Sequence, residues 1–383
     1  MASGCARRCA TSSTSPLISS LPGPCSRAPS RTGLTRTDPR TGNGRGNVTA
    51  SRRDIAISIL QYGVGIAALA YLLSQVDIAA VSTRLRATEP DVLVAIVLVT
   101  LGGVVARFDT WRAVLAPFTH VALLTAGRVD LAVNFVNQLL PSRLSGRLAA
   151  PFILKAETGI DYGDATAAAG AHTGIYAVFY GLVSAVGLLA IVGRVSTGLL
   201  LLLVLSTALY LVAGVVVLLA GMNLTVLDRL VGVLASLAER VPRFGSALAD
   251  RVRAIPDITE ASADAFGRIS TDPRIWLRYG AGWALALVVA PGIRVWLLFL
   301  SFGAAVDPLL LPLYLVTAYS ITLLPLTPGG IGVTEATATA VFVGLGVPEA
   351  VVIPVIFLDR FLGVYVPAVV GWYPTLDMDL SVL

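Results

Sequence analysis

Long apolar runs separated by short charged stretches set the plan of the chain. Ile55–Leu73 is a charge-free run of 19 residues, and Val92–Ala106 is a shorter one that ends at Arg107. Ala165–Gly193 and Thr197–Gly221 follow each other with Arg194 as the only charge between them. Tyr279–Val306 holds one charge, Arg294, and Ala350–Pro374 holds Asp359 and Arg360. A helix crosses the roughly 30 Å hydrocarbon layer in about 20 residues. These runs therefore predict six membrane spans, the second completed by flanking residues.

Two further apolar stretches are interrupted. Phe118–Leu140 is dotted with His120, Arg128, Asp130, Asn134, Asn137 and Gln138. Pro308–Pro348 contains "ITLLPLTPGGIGVTEA", with Pro325, Pro328 and glycines at 329, 330 and 332. Two prolines and three glycines stop a helix. Non-helical backbone at membrane depth is tolerated only where protein or water covers it, so both stretches predict broken, re-entrant elements. Between the fourth and fifth spans, residues 222–278 carry Leu227, Leu230, Val231, Leu234, Leu237 and Val241 at helical spacing. That pattern predicts an amphipathic connection at the membrane surface or packed as an elbow.

Composition agrees with the class. The chain is 56% hydrophobic and 13% charged, where a soluble domain carries about 25% charged residues; the mean hydropathy is +0.80. A transmembrane barrel would show short alternating segments instead. The fold class is thus all-α, a polytopic helical membrane protein. Charge is unevenly spread: residues 1–53 hold nine arginines and one acid, a net of +8, while the rest holds 19 basic and 22 acidic side chains, a net of −3. The tail is rich in Ser, Thr, Pro and Gly and is expected to be disordered. It reads as a transit-peptide-like leader, as an arm lying on anionic lipid, or as an over-extended start with Val48 as an alternative initiator. The basic excess is confined to this arm, so nucleic-acid binding is not expected. With eight arginines in 222–278, the positive-inside rule puts the N-terminus and that connection in the cytoplasm, and Arg107 and Arg112 on the same side.

The two interrupted stretches echo each other. "NQLLPSRLSGR" (Asn137–Arg147) and "ITLLPLTPGGI" (Ile321–Ile331) both read Leu-Leu-Pro-x-x-x-x-Gly, from Pro141 to Gly146 and from Pro325 to Gly330. Charge parity makes them enter from opposite sides. Interrupted segments at matching places in two halves point to an inverted repeat with a midplane site.

Enzyme chemistry finds little support. There is no phosphate-loop motif, no His-Glu-x-x-His and no Cys-x-x-Cys; Cys5, Cys9 and Cys25 all lie in the tail. No cofactor, no metal and no catalytic residue are expected. What remains is ionisable side chains at depth, functional or paired by default because burial in lipid costs each about 2.5–3.5 kcal/mol. The substrate-binding candidates are Arg143, Arg147, Gly329, Gly330, Gly332, Glu335, Asp359 and Arg360. Arginine offers a permanent fork for phosphate, and freed amides at the helix start near Gly329–Gly332 offer a second anion site. Alternatives stay open. Arg143 and Arg147 also suit interfacial anchoring, and Glu335 suits either proton coupling or pairing with an arginine. Asp359 and Arg360, about 100° apart around a helix, are free to pair with other helices. Arg294, beside Pro291, reads as a snorkelling side chain. His172 reads as a buried, hydrogen-bonded histidine, and Tyr176, Phe179 and Tyr180 as packing.

At these motifs the chain resembles the flippase-like family of the lysylphosphatidylglycerol synthase transmembrane region. "NFVNQLLPSRLSGRLAAPFILKAETGIDYGDAT" (Asn134–Thr166) is similar to that family's Asn-x-x-Leu-Pro-x-Arg-x-Gly segment and the Thr-Gly that follows it. "PLTPGGIGVTEA" and "VGLGVPEAVVIPVIFLDRFLGVYVPAVVGW" are similar to its Pro-Gly-Gly-x-Gly-x-x-Glu segment, Leu-Gly-Val turn and last helix. The chain departs from the pattern at Arg147, where an acid is common, and at His172, near a common arginine. The resemblance implies a flippase-like domain over residues 54–383 that translocates an anionic polar-headed lipid or a lipid-linked, polyprenyl-type sugar across the cytoplasmic membrane. No aminoacyltransferase domain is recognised in these residues, so lipid aminoacylation is not expected. A secondary transporter of a small anion and a non-transporting partner of a glycosyltransferase are the alternative readings.

Overall fold

The protein was analysed as a computed structural model that describes residues 78–139, 149–222 and 264–376, with isolated positions between 63 and 74. The tail 1–53, nearly all of the Ile55–Leu73 span, the Pro141–Arg147 break and most of the 222–278 connection lie outside the described residues. The described secondary structure is entirely helical. In chain order the helices are α1 (Ile78–Ala87), α2 (Pro90–Leu115), α3 (Leu123–Leu139), α4 (Ala150–Thr158), α5 (Tyr162–Ile191) and α6 (Thr197–Met222). They are followed by α7 (Pro273–Ser301), α8 (Leu311–Tyr319), α9 (Val333–Gly344) and α10 (Glu349–Leu376).

Five of these, α2, α5, α6, α7 and α10, are long and apolar enough to cross a membrane. Their outward faces are apolar: Leu189, Leu201, Val212, Leu277 and Val369 are all at least 60% exposed. Exposed apolar surface on this scale needs a partner, while charged side chains such as Asp359 and Arg360 are buried. Lipid outside and ions inside identify a multi-pass membrane protein.

Close approach of helices uses small residues, as expected where lipid supplies no hydrophobic drive between helices. A Cβ on Gly187 of α5 would strike Thr317 and the Leu313 carbonyl of α8, and one on Gly371 of α10 would strike the Leu131 carbonyl of α3. The second span extends further than its apolar run suggests. α2 continues to Leu115, so Arg107 and Arg112 lie within the helix rather than in a loop after it. Arg107 pairs with Asp130 toward the bundle interior, and Arg112 pairs with Asp109 near the helix end; a hydropathy reading sees neither pairing.

The bundle has two ends. One gathers the α1–α2, α5–α6, α7–α8 and α9–α10 turns: Arg84 donates to the Phe302 carbonyl at 3.4 Å, and Gly344 lies against the Arg194 carbonyl. The other gathers the α2–α3 and α4–α5 turns and the residues just before α7: Arg112 donates to the Val121 carbonyl, and Arg268 bonds Asp164 and stacks over Phe118. Gln138, near the end of α3, lies against Gly329 in the break that follows α8.

The break between α8 and α9 is built by its sequence. α8 tightens into a 3₁₀ turn at Ser320–Leu323, and Gly329, Gly330 and Gly332 all take positive φ, which favours glycine. Its polar groups are served locally: Gly330 N–H by the Thr327 carbonyl, the Ile331 carbonyl by Thr327 Oγ1, and the Gly330 carbonyl by Thr334 Oγ1. Thr327, Pro328, Gly329 and Gly330 are buried, so these bonds replace water that a surface loop would use.

Candidate functional site

Between α2, α3, α5, α7, α8 and α10 lies a partly open cavity of about 150 Å³. Arg107, Asp130, Arg294, Asp359 and Arg360 line it with Trp111, His172, Tyr176, Tyr180, Tyr279, Trp283 and Tyr319. Two irregular helical turns also border it. α7 widens to a π-turn at Leu285–Val289 and α10 to another at Phe361–Tyr365. Such bulges recur at functional sites. Gly363, in the second, leaves room for the Arg294 guanidinium, which a methyl group there would strike.

Three ion pairs organise the walls. Arg107 of α2 donates through Nε to Asp130 Oδ2 of α3 at 2.7 Å, and Trp111 Nε1 donates to the other oxygen at 3.3 Å. Arg294 of α7 binds Asp359 of α10 through Nε at 2.8 Å and through Nη2, while the Tyr319 hydroxyl donates to Asp359 Oδ2 at 2.6 Å. Arg360 donates through Nε to Glu335 Oε1 of α9 at 2.9 Å, joined there by the Tyr365 hydroxyl. Glu335 Oε2 accepts the Gly332 N–H at 2.7 Å. Every carboxylate oxygen is thus occupied, the condition under which a buried pair offsets its desolvation. The Arg360 guanidinium also lies 5.5 Å from the Tyr319 ring centre and 5.6 Å from that of Tyr365, within cation–π range.

Of the eight candidates read from the sequence, Arg143 and Arg147 lie outside the described residues. Glu335 and Arg360 come together, and Asp359 sits beside them with a different partner. Gly329, Gly330 and Gly332 do not line the cavity; Gly332 is linked to Arg360 only through Glu335. The amides of Gly330 and Gly332 are already bonded, and the anion at the start of α9 is the chain's own Glu335. That is a correction to the helix start as a place for a substrate anion. A second correction concerns Arg294. It does not snorkel to an interface: its side chain is 6% exposed and paired with Asp359. Of the two roles open to Glu335, the structure displays the pairing with an arginine.

His172 is buried, stacked on Trp111 with ring centres 3.8 Å apart, and 3.3 Å from Thr110 Oγ1. Tyr176 and Tyr180 pack in the same aromatic wall. The sequence reading passed over Arg107, Asp130, Asn134 and Trp283 as site residues. A signal existed for two of them, since Asp130, Asn134 and Asn137 recur at helical spacing and share one face of α3.

The model of the family described as the lysylphosphatidylglycerol synthase TM region matches residues 56–371. A UPF0104 membrane protein of Pyrococcus horikoshii is 30% identical over 79 residues, 21% of this chain and 24% of that relative. The match therefore spans about a quarter of the relative's length. No solved structure matches the chain.

Proposed function

Since the chain belongs to the family of the lysylphosphatidylglycerol synthase TM region, we propose that it translocates an anionic polar-headed lipid or lipid-linked sugar across the cytoplasmic membrane. The head group crosses through this cavity while the tails remain in lipid. The observation that carries this reading is a cavity inside an apolar bundle lined by Arg107 and the buried Arg294 and Arg360, because ionisable groups at such depth mark pathways. α3 and α8 are read as half-helices of an inverted repeat that enter from opposite faces. The meeting of Gln138 with Gly329 and the shared Leu-Leu-Pro-x-x-x-x-Gly spacing support this. The N-terminus is cytoplasmic in this reading. Transport without a phosphate-loop motif is facilitated or driven by an ion gradient, and the domain is not an enzyme.

The test is lipid scrambling in proteoliposomes, followed with a head-labelled fluorescent phospholipid and a membrane-impermeant quencher. Arg360→Ala and Glu335→Gln are each expected to slow scrambling at equal insertion. Unchanged rates in both variants would overturn the assignment of the pathway to this cavity. Uptake of a soluble anion without lipid movement would favour the small-anion transporter instead.

A further inference from the structure

The three ion pairs leave the cavity wall with no net charge. An anionic head group that enters brings a charge those pairs do not balance. Arginine keeps its charge at any working pH. Both oxygens of Asp130, Asp359 and Glu335 already accept bonds, so a proton there would compete with a donor in place. His172 also lines the cavity. Imidazole is the side chain that ordinarily changes charge between about pH 5 and 8. The chain's other histidine, His120, is exposed in the α2–α3 turn.

The contacts of His172 define what a proton does there. Thr110 Oγ1 donates to the Arg107 carbonyl at 2.6 Å, so toward His172 Nε2, 3.3 Å away, it only accepts. Nε2 therefore carries the hydrogen of the neutral ring, and an added proton goes to Nδ1. The Thr110 bond survives the change, because both nitrogens of an imidazolium donate. The ring lies flat on Trp111, with centres 3.8 Å apart and planes at 11°. Tyr176 is near-parallel to it at 6.5 Å, and Tyr279 meets it edge-on at 5.4 Å. Aromatic faces attract a cation, so this stack suits an imidazolium. The charged groups on this side of the cavity are Arg107 of α2 and Asp130 of α3, already paired with each other. Arg294, Asp359 and Arg360 border the cavity from α7 and α10, with Tyr319 of α8, and Tyr210 of α6 packs against Tyr176. Partly exposed Arg107, Asn134 and Asn137 line the same space. A polar space of about 150 Å³ is roomy enough for water, which gives the ring a path for protons.

We propose that His172 binds the proton that accompanies the substrate. It takes up a proton at Nδ1 as an anionic head group enters the cavity and returns it to water as the head group leaves. One proton then crosses with each head-group charge, and the cavity stays neutral throughout. By linkage, the anion favours the proton as much as the proton favours the anion. The inference rests on the translocation reading and names its coupling ion.

The experiment is isothermal titration calorimetry on the purified full chain in detergent, with dihexanoylphosphatidylglycerol as the probe. Its phosphodiester keeps one negative charge across the range used. Binding heats in buffers of different ionisation heat give the protons taken up per lipid. Between about pH 6 and pH 8, the native chain is expected to take up as much as one proton per lipid. His172→Gln keeps a donor for Thr110 but cannot be charged, and is expected to bind without uptake. Uptake that persists in His172→Gln overturns the proposal. So does lipid binding by the native chain with no uptake. A second measurement needs no lipid. An imidazolium stacked on an indole quenches its fluorescence, so native emission is expected to fall as pH drops through the same range. The fall should be missing in His172→Gln and in Trp111→Phe. A flat native signal overturns the proposal whatever the lipid does. A fall that needs both residues, with no lipid binding, would uphold the proton site and overturn lipid translocation.

Discussion

Arg360–Glu335 and Arg268–Asp164 are the same chemistry in two surroundings. The first pair is 1% and 4% exposed and lies in the bundle interior; the second is 51% and 25% exposed and lies at one end. Around the inner pair stand the Tyr365 hydroxyl, the Gly332 N–H and the Tyr319 ring. Among the contacts described for the outer pair, only the Phe118 ring beneath Arg268 joins the two charges. The difference teaches that an interior charge is held by several partners at once, because no water can replace a missing one. At the end of the bundle, solvent substitutes for any partner lost.

The comparison is most sharply broken at Arg360. Arg360→Met strands Glu335 as an uncompensated buried charge and is expected to cost about 3–5 kcal/mol, read as unfolding in detergent. Adding Glu335→Gln removes the stranded charge; the amide oxygen still accepts from Gly332 N–H, and the amide NH2 donates to the Tyr365 hydroxyl oxygen. The double variant should therefore be more stable than Arg360→Met alone, and a double variant that is less stable would contradict the pairing. An intermediate effect is expected at Gly363. Gly363→Ala drives a methyl into the Arg294 guanidinium and should cost about 1–3 kcal/mol as overpacking. Because that guanidinium holds Asp359, lipid scrambling should fall with it; a fully stable, fully active Gly363→Ala would show that Arg294 has freedom to move aside. The smallest effect belongs to the outer pair. Arg268→Ala should cost no more than about 1 kcal/mol, and the loss should shrink further in high salt. A loss matching that at Arg360 would erase the distinction between the two regions.

Much of the fold was legible in the sequence, and the reasons are local. The apolar runs give α5, α6, α7 and α10 within a few residues, because insertion depends on summed side-chain hydrophobicity. The α8–α9 break follows from Pro325, Pro328 and three glycines, whose backbone preferences act within the segment. α2 is completed by flanking residues, as its short apolar run requires, and stays helical through Arg107, Asp109 and Arg112; hydropathy alone does not say how those charges are paired. Within the site, the interior charges of α10 and Glu335 stood out as polar residues in apolar surroundings. Arg107 did not, since it sits at the margin of its run, and Trp283 did not, since an indole in an apolar helix reads as packing.

The sequence by itself determined the class of the protein, the approximate spans and the place where a helix must stop. Each of these depends on composition or backbone preference over neighbouring residues. Only the tertiary structure decided who pairs with whom. Arg107 and Asp130 are 23 positions apart, Glu335 and Arg360 are 25, and Arg294 and Asp359 are 65. No local periodicity encodes such distances. They are fixed by how closely glycine faces let helices approach and by where two π-turns rotate the cavity-facing side chains. Those two features also bring three separate ion pairs together around one polar chamber.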